Sequence, residues 1–514
     1  MNIETLGTIT RYHASERPSA TAMITASDGY SWTYKQLDRI ANRVANQLLA
    51  DGLAPQERVA YLGKNSPEFF FCLFGAAKAN CVTVAVNWRL SSTEIAYILH
   101  DCDCRLLFVD SESLPQLAGI SLPSMRRIVV VGTAPLETLS FSQWVDSAPD
   151  HDPVAPCDPA DTAMQIYTSG TTGRPKGVEL THANVLHCVG TTYATMKLDE
   201  QARVLMFLPL FHIGGSGWSL VALYHGAAVI LLRELDLDLV LRMIEQHKIT
   251  HAPLVPTVIR SLLQHPGVST TDFSSLRVVA YGASPNSESD LRQAIQVFRC
   301  GLYGSYGLSE CAGSATLLLP DDHDLDGPRR HLMRSCGRLA PNHECRIISL
   351  DTLTDLPEGE VGEIWLRGPQ VMRRYWKDPT ATADVILPGG WLRTGDAGYL
   401  KEGYLYIKDR VKDMIISGGE NVYPAEVENV LMKHDKIIDC AVIGVPSERW
   451  GETVKAIVRA SDPILSETDV IKFCRNQIAH YKCPTSVVFV GAIPRSTSGK
   501  ILKMELRKQF AALP

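Results

Sequence analysis

A loop rich in glycine and hydroxyl residues, which runs from Tyr167 to Gly177 as YTSGTTGRPKG, has a composition that suits phosphate chemistry. Its glycines let the backbone approach a ligand closely, its hydroxyls supply neutral donors, and Lys176 adds a positive charge. Such a loop could bind a polyphosphate. It is not a Walker A loop, because no Gly-Lys-Ser/Thr run opens a helix and Pro175 precedes the lysine. Composition alone leaves a flexible polar turn as an equal alternative.

Further segments with chemically useful residues follow along the chain. They read YGLSE at 306–310, GWLRTGD at 390–396, DRVKD at 409–413, SGGEN at 417–421 and PRSTSGK at 494–500. Together with the glycine-rich loop, they resemble the ordered motifs of the adenylate-forming superfamily of acyl- and aryl-CoA synthetases, adenylation domains and beetle luciferases. The resemblance extends over nearly the whole chain and points to the acyl-CoA synthetase, or fatty-acid–CoA ligase, branch of AMP-binding enzymes.

The resemblance implies a ligase that uses ATP, Mg²⁺ and coenzyme A. A carboxylate would attack the α-phosphate of ATP to give an acyl-adenylate and pyrophosphate, and a thiol would then give a thioester and AMP. Because two anions meet in the first step, catalysis would depend mainly on positioning and charge neutralisation. The family rotates its C-terminal domain between the half-reactions, which places a hinge at Lys412 and a pantetheine tunnel along Gly418 and Gly419.

The resemblance also implies a role for each motif residue. Lys500 would bridge the substrate carboxylate and the α-phosphate, and Glu310 would be a catalytic Mg²⁺ ligand. The residues expected to bind ATP or AMP are Thr168, Ser169, Gly170, Thr171, Thr172, Gly173, Lys176, Gly282, Ala283, Ser284, Ser305, Tyr306, Gly307, Ser309, Asp396 and Arg410. Among these, Tyr306 would stack on adenine and Asp396 would accept the ribose hydroxyls. Without the motif context, the charged residues would be interpreted as surface groups and Tyr306 as a residue of the core.

His212 stands in an apolar, glycine-rich segment, FLPLFHIGGSG, which favours an acyl- or aryl-CoA synthetase over an amino-acid adenylation domain. An ammonium group would need a carboxylate partner there, since a lone buried charge is costly, and none is evident. His212 is expected to border or gate the carboxylate end and to take part in catalysis, or else to be a satisfied core histidine. The expected acyl pocket is lined by His212, Gly214, Gly215, Cys311 and Ala312.

Small lining residues leave volume for an apolar ligand, so we expect a medium- or long-chain fatty acid or a bulky alicyclic or steroid-side-chain acid. An aryl acid is the alternative substrate, and the glycines could instead serve tight helix packing. No carrier-protein segment follows Lys500, so we expect an external acceptor, of which free coenzyme A is the simplest. A stand-alone adenylating enzyme that loads a carrier-protein thiol is the alternative, whereas the intact motif residues argue against an inactive nucleotide-binding scaffold.

The PRSTSGK segment also resembles the sequence context in which related synthetases are acetylated. A lysine acetyltransferase acting on Lys500 is therefore a candidate partner, since acetylation would remove the charge that adenylation needs. A homodimer is compatible with the sequence.

The elements that must position these residues alternate between short β-rich runs and helical patterns. This alternation predicts right-handed crossovers and a parallel sheet with covered faces. From about Asp351 short strands with glycine-containing turns indicate antiparallel structure, and a compact α+β stretch follows Arg410. We therefore expect an α/β fold. Residues 1–410 would form a large AMP-binding domain of doubly wound subdomains plus a β-rich subdomain, and residues 411–514 a small mobile domain carrying the catalytic lysine.

Composition limits the function classes. The chain has 514 residues, a formal charge of −6 and 45% hydrophobic residues, which is typical of a globular protein and argues against a nucleic-acid partner. Its longest apolar run falls short of a membrane span, and the first residues lack the features of a secretory leader. Thirteen cysteines without a CxxC pair indicate free thiols in a reducing compartment, so we expect a cytoplasmic enzyme.

Overall fold

The computed structural model describes residues 3–169, 174–190, 192–196, 198–284, 287–417, 420–447, 449–495 and 501–511. The chain divides into two compact units. Unit 1 comprises Met1–Met333, Gly337–Glu344 and Arg367–Leu392, and unit 2 comprises Arg334–Cys336, Cys345–Leu366 and Arg393–Pro514. The expected mixed α/β fold, with a large N-terminal part and a smaller β-rich C-terminal part, is confirmed. The domain boundary between residues 410 and 411 stays a prediction.

The helices follow sequence signals at their first residues. In chain order they are α1 (Leu6–Glu16), α2 (Tyr34–Ala50), α3 (Pro67–Lys78), α4 (Ser92–Asp101), α5 (Phe141–Asp146), α6 (His182–Gly190), α7 (Ile213–Tyr224), α8 (Leu237–Gln246), α9 (Pro256–Leu263), α10 (Glu288–Phe298), α11 (Pro379–Val385), α12 (Pro424–Leu431), α13 (Glu467–Arg475) and α14 (Lys503–Phe510). Proline suits the first helical position because its missing N–H would have no partner there. Helices α3 and α12 begin at such prolines, after Ser66 and Tyr423.

The strands are short and alternate with these helices. They are β1 (Thr21–Thr25), β2 (Ser31–Thr33), β3 (Arg58–Leu62), β4 (Val82–Val86), β5 (Leu106–Asp110), β6 (Arg127–Val131), β7 (Thr162–Ser169), β8 (Pro175–Thr181), β9 (Arg203–Met206), β10 (Ala228–Leu231), β11 (His251–Leu254), β12 (Val278–Tyr281), β13 (Gly301–Leu308), β14 (Gly313–Leu318), β15 (Arg338–Leu339), β16 (Glu344–Ile348), β17 (Gly362–Arg367), β18 (Arg374–Tyr375), β19 (Ile386–Leu387), β20 (Trp391–Lys401), β21 (Tyr404–Arg410), β22 (Ile415–Ser417), β23 (Glu420–Val422), β24 (Ile437–Ser447), β25 (Gly451–Ala460) and β26 (Ser486–Phe489).

Unit 1 contains two largely parallel sheets among its described residues. One has the strand order β18-β8-β7-β4-β3-β5-β6, and the other has the order β15-β14-β13-β12-β11-β9-β10-β1-β2. In the first sheet β3, β4 and β5 are buried along their whole length, as expected for parallel strands covered on both faces. Helix α3 packs on this core with Phe69, Phe70 and Phe74 fully buried. The predicted parallel sheet with covered faces is thus confirmed.

Unit 2 contains sheets of mainly antiparallel strands. Strand β20 pairs antiparallel with β21, and β24 pairs antiparallel with β25 along nearly its full length. The stripe Val427, Val430 and Leu431 of α12 is buried in the core beside β24, as its helical spacing predicts. Among the described helices of the chain, none has the length and hydropathy that crossing a lipid bilayer would require.

The carboxyl ends of several unit 1 strands lead directly into the predicted site segments. Strands β9, β12 and β13 belong to one sheet with β11 between β9 and β12, and the pairs β11–β12 and β12–β13 are parallel. The chain leaves β9 toward His212 and leaves β12 toward Gly282. Ligands of open α/β sheets bind outside these carboxyl ends, so the topology gathers the segments at one edge.

Candidate functional site

The glycine-rich loop connects two antiparallel strands rather than a strand and a helix. The register of β7 and β8 pairs Thr168 with Lys176 and Ser169 with Pro175. The predicted ligands Gly170, Thr171, Thr172 and Gly173 lie outside the described residues. The structure therefore gives the two ends of this loop, and it places the Lys176 backbone directly opposite Thr168.

Tight packing holds the ends of this hairpin. The Tyr167 hydroxyl donates a hydrogen bond to the Asp101 carboxylate at the end of α4, and it accepts one from the Gln165 amide at 3.0 Å. A side chain at Gly177 would place its Cβ 2.5 Å from the same amide nitrogen. Gly177 thus leaves room for the Gln165 amide, which a larger residue at this position would have to displace.

One tyrosine joins the phosphate-loop lysine to the predicted metal ligand. The Lys176 ammonium lies 5.1 Å from the centre of the Tyr375 ring, within the range of a cation–π contact. The Tyr375 hydroxyl donates to Glu310 Oε1 at 2.9 Å. Burial and the adjacent Glu310 carboxylate raise the pKa of Tyr375, so this hydroxyl stays protonated as a donor. Tyr375 was not expected from the sequence, because it lies 65 residues from Glu310.

Glu310 lies in the short 3₁₀ helix Ser309–Cys311 that follows β13, and its carboxyl group is half-buried. Its backbone carbonyl accepts a hydrogen bond from the Met372 N–H at 2.8 Å. Tyr375 orients one carboxylate oxygen, and no residue in the described part of the chain donates a hydrogen bond to the other. A hard carboxylate oxygen near the glycine-rich loop fits the ligand preference of Mg²⁺.

The segment expected to bind adenine is formed by two neighbouring parallel strands. Tyr281 at the end of β12 pairs with Gly304 of β13, so Gly282 lies against Ser305. A Cβ on Gly282 would meet the Ser305 carbonyl oxygen at 2.7 Å. Ala283 has a left-handed φ of 69°, and Ala283 and Ser284 are both exposed. Two exposed residues thus follow Gly282 at the edge where the resemblance places adenine.

On the adjacent strand, Tyr306 is half-buried and pairs with Thr316 of β14. The next residue, Gly307, is so close to β14 that an added Cβ would lie 1.6 Å from the Gly313 carbonyl oxygen. Only glycine fits this approach. The adenine-stacking role of Tyr306 and the phosphate role of Ser309 stay predictions.

His212 is the N-cap residue of α7, with extended backbone angles and a half-buried side chain. Its carbonyl oxygen accepts from the Gly215 and Ser216 N–H groups, each at 3.0 Å. Its ring centre lies 4.6 Å from that of Phe211. The structure thus fixes the imidazole at a helix entrance beside an aromatic ring.

The small residues of the expected acyl pocket differ in their surroundings. A Cβ on Gly215 would lie 2.2 Å from the Pro209 carbonyl oxygen, so this glycine permits tight packing at the start of α7. Gly214 is exposed and has open space where a Cβ would project. Cys311 and Ala312 are buried at the turn into β14. Their contact with an acyl chain stays a prediction.

In unit 2, the structure brings Asp396, the expected ribose acceptor, together with Arg410, another residue expected to bind ATP or AMP. Asp396 and Arg410 are register partners on β20 and β21, and Arg410 Nε lies 3.0 Å from Asp396 Oδ1. The Asp396 N–H donates to the Thr394 hydroxyl at 3.1 Å. Lys412 lies just beyond, exposed, in the 3₁₀ helix Val411–Asp413.

The predicted catalytic lysine, Lys500, and the tunnel glycines Gly418 and Gly419 lie outside the described residues. The base of the loop that carries Lys500 is described. Arg495 and Ile501 form an isolated antiparallel bridge, and the Leu502 N–H donates to the Pro494 carbonyl at 2.9 Å. The Arg495 guanidinium is also paired with Asp439 at 2.8 Å. The loop is therefore closed at its base by backbone and ionic contacts.

Comparisons with known proteins agree with the motif order. Residues 10–376 match the AMP-binding enzyme family, and residues 426–500 match the AMP-binding enzyme C-terminal domain. The fatty acid–[acyl-carrier-protein] ligase ScoC of Streptomyces coeruleorubidus is 40% identical over 99% of this chain and 97% of its own. A feruloyl-CoA synthase of Amycolatopsis sp. is 37% identical over 99% and 100%. The solved structure of a Mycobacterium tuberculosis fatty acyl CoA synthetase has a TM-score of 0.78 and 32% identity, with 99% of both chains covered.

Proposed function

Because this chain belongs to the AMP-binding enzyme family, we propose that this AMP-forming acid–thiol ligase activates a medium- or long-chain fatty acid, or a bulky alicyclic or steroid-side-chain acid. The observation that carries the proposal is the group formed by Lys176, Tyr375 and Glu310 beside the glycine-rich loop. It supplies a cation and an oriented carboxylate at the edge where a nucleotide would bind. Similarity to a fatty acid–[acyl-carrier-protein] ligase and a fatty acyl CoA synthetase supports the lipophilic substrate.

In the proposed first step, a substrate carboxylate oxygen attacks the α-phosphorus of ATP and the bond to pyrophosphate breaks. Lys176 would neutralise phosphate charge, and Lys500 would lie between the two reacting anions. Glu310 would hold Mg²⁺ together with phosphate oxygens and water, and the bound ion would neutralise phosphate charge. Tyr375 keeps the Glu310 carboxylate in one orientation.

In the second step, a thiol attacks the acyl carbon, its proton leaves, and AMP departs with the bonding electrons. We propose free coenzyme A as the acceptor. A carrier-protein thiol is the second candidate, because the 40% identical relative is named as an acyl-carrier-protein ligase. Asp396, with its Arg410 partner, would hold the ribose through both steps.

The direct test is pyrophosphate release from ATP and Mg²⁺ across a panel of acids, with and without coenzyme A. The panel spans acetate, octanoate, palmitate, a steroid side-chain acid, benzoate and a cinnamate. We expect release with the longer or bulky aliphatic acids and acceleration by coenzyme A. Pyrophosphate release with the aromatic acids alone would make the protein an aryl-CoA ligase. No pyrophosphate release with any acid of the panel would overturn the proposal.

The acceptor is tested separately with palmitate as substrate. Thioester yield is compared for coenzyme A and for a phosphopantetheinylated acyl carrier protein at equal thiol concentration. Faster transfer to coenzyme A supports the first candidate. Transfer to the carrier protein with none to coenzyme A would establish the second.

We further propose that acetylation of Lys500 stops adenylation, since the first step needs its charge. Enzyme acetylated at Lys500 is expected to release no pyrophosphate and to recover after deacetylation. Mass spectrometry that shows full acetylation at Lys500 with undiminished activity would contradict this.

A further inference from the structure

We propose that Tyr375 is a positioning residue that keeps Lys176 and Glu310 both directed at the bound nucleotide instead of at each other. The two groups carry opposite charges and both contact the same tyrosine. The described contacts of the two groups are the ring face and the hydroxyl of Tyr375, not an ion pair between them. Tyr375 thus contacts the Lys176 ammonium with its ring face and the Glu310 carboxylate with its hydroxyl. Because the tyrosine is uncharged, both groups keep their charge for the nucleotide and its metal ion.

Residues 373–376, called the strap below, hold Tyr375 beside strand β8. Strand β18 pairs antiparallel with β8, the strand that carries Lys176, so that Tyr375 lies opposite Val178. The Trp376 N–H donates to the Gly177 carbonyl at 2.7 Å, and the Arg373 N–H donates to the Glu179 carbonyl at 3.0 Å. Lys176 and Tyr375 therefore lie on adjacent strands, and backbone bonds fix the spacing between them.

Side chains lock the same strap into the sheet. The Glu179 carboxylate is almost fully buried and is paired with Arg58 at 2.7 Å and with Arg374 of the strap. The Arg58 guanidinium carbon lies 3.4 Å from the centre of the Trp376 ring. The Trp376 indole N–H also donates to the Asp101 carbonyl at 2.9 Å. Since Asp101 also accepts from Tyr167, one helix end anchors both the loop and the strap.

Because Tyr375 is anchored in this way, its hydroxyl holds the carboxylate of Glu310, the proposed metal ligand, in a fixed orientation before the ion binds. A carboxylate that had to be oriented on binding would lose conformational entropy at that moment, whereas one held by a fixed O–H donor has already lost it. Hydrogen bonds to charged groups contribute more than neutral ones. Removing the hydroxyl should thus weaken the divalent-cation-dependent part of nucleotide binding.

The inference rests on the proposed roles of Glu310 and Lys176, and it is tested by binding. We compare the wild type with Tyr375→Phe, which keeps the ring under Lys176 but removes the donor. The dissociation constant of a non-hydrolysable ATP analogue is measured by calorimetry in Mg²⁺ and in EDTA. We expect the variant to bind about 10-fold more weakly in Mg²⁺ and nearly unchanged in EDTA. Mn²⁺ binding to the enzyme–analogue complex, followed by electron paramagnetic resonance, should weaken likewise.

Two further variants separate positioning from structure. Tyr12→Phe, a hydroxyl removal on α1, is the matched control and should behave like the wild type. In a Glu310→Gln background, Tyr375→Phe should add no further loss, because the hydroxyl acts through the carboxylate. Equal weakening in Mg²⁺ and EDTA, or additive losses with Glu310→Gln, would overturn the inference. A wild type without acid-dependent pyrophosphate release would instead overturn the proposed function.

Discussion

Close backbone approaches at single glycines shape the expected adenine edge of unit 1. Gly282 lies against the Ser305 carbonyl, where a Cβ would stand only 2.7 Å from oxygen. Backbone on a neighbouring strand cannot yield as a flexible side chain can, so even one methyl group must displace β12 from β13. The size of this residue is therefore decided by strand pairing and not by turn propensity.

We expect Gly282→Ala to raise the KM for ATP by about 10-fold, a loss typical of overpacking by one methyl group. The KM for the acid should change less, because the shift is local to the expected adenine edge. Steady-state pyrophosphate release at varied ATP measures the effect. Gly491→Ala is the matched control, since nothing lies within 4 Å of its Cβ position. An unchanged KM for ATP would show that this edge does not contact the nucleotide.

A buried histidine makes unit 1 sensitive to acid. His182 is fully buried on α6, where its Nδ1 accepts from the Leu6 N–H at 3.1 Å. Burial lowers the pKa of this imidazole to about 4. In the unfolded chain the group titrates near its ordinary value of about 6.5, so below that pH the unfolded state binds more protons. Stability is therefore complete above about pH 6.5 and falls as the pH approaches 4.

The loss should reach at most about 3 kcal/mol for this one group. Urea unfolding at pH 7.5, 6 and 5 measures it. His182→Asn keeps an acceptor near the Leu6 N–H but cannot titrate, so its stability should depend less on pH over this range. His151→Asn, at an exposed position, should keep the wild-type slope. Identical slopes for the wild type and His182→Asn would refute the assignment.

At the scale of elements, helix α14 is fastened to the segment that contains the expected hinge. The Lys503 ammonium lies 2.9 Å from Glu428 Oε1 on α12 and 4.0 Å from Asp409 Oδ2 at the end of β21. Burial raises the pKa values of both carboxyls, while the lysine charge opposes that shift. Lys503 follows the loop that carries Lys500, so these contacts fix one end of that loop.

Lys503→Met should destabilise unit 2 by about 3 kcal/mol, because it leaves two largely buried carboxylates without their cation. Hydrogen exchange of α12 and α14 measures the loss. Lys508→Met, on the exposed face of the same helix, is the control and should have little effect. Adding Glu428→Gln to Lys503→Met should recover part of the protection, since it removes one of the uncompensated charges. Unchanged exchange in Lys503→Met would show that the contacts add no stability.

At the scale of the molecule, the proposed mechanism gives Lys500 a role in the adenylation half-reaction alone. Lys500→Ala should slow adenylation by about 100-fold or more, the scale for removing one preorganised charge donor. Thioester formation from a supplied acyl-adenylate should survive. The two half-reactions are measured separately, with Lys508→Ala as the control. Equal losses in both would contradict a mechanism in which the C-terminal domain presents different faces in turn.

The sequence alone identified the chemistry, because short motifs carry their residue types in a fixed order. The family, the acid–thiol ligase activity and the α/β fold were all predicted and confirmed. Helix starts also follow local chemistry, since Pro67 and Pro424 are each the first residue of a helix. Ser66 occupies the N-cap position of α3, but its hydroxyl shares a hydrogen bond with Tyr61 and does not cap the helix. The roles of Lys500, His212 and the acyl pocket, a homodimer and a cytoplasmic location stay predictions.

Only the tertiary structure decided which residues support those motifs. Tyr375 reaches Glu310 across 65 residues of chain, and Tyr167 reaches Asp101 across 66. Strand β18 is only two residues long, so no periodicity reveals it, and its pairing with β8 is non-local. The close approach of the Pro209 carbonyl to Gly215 is likewise visible only in the folded chain. The chemistry of a motif depends on its residue types, so it can be predicted from the sequence. The orientation of side chains and the close approach of backbone segments arise only when distant parts of the chain pack together.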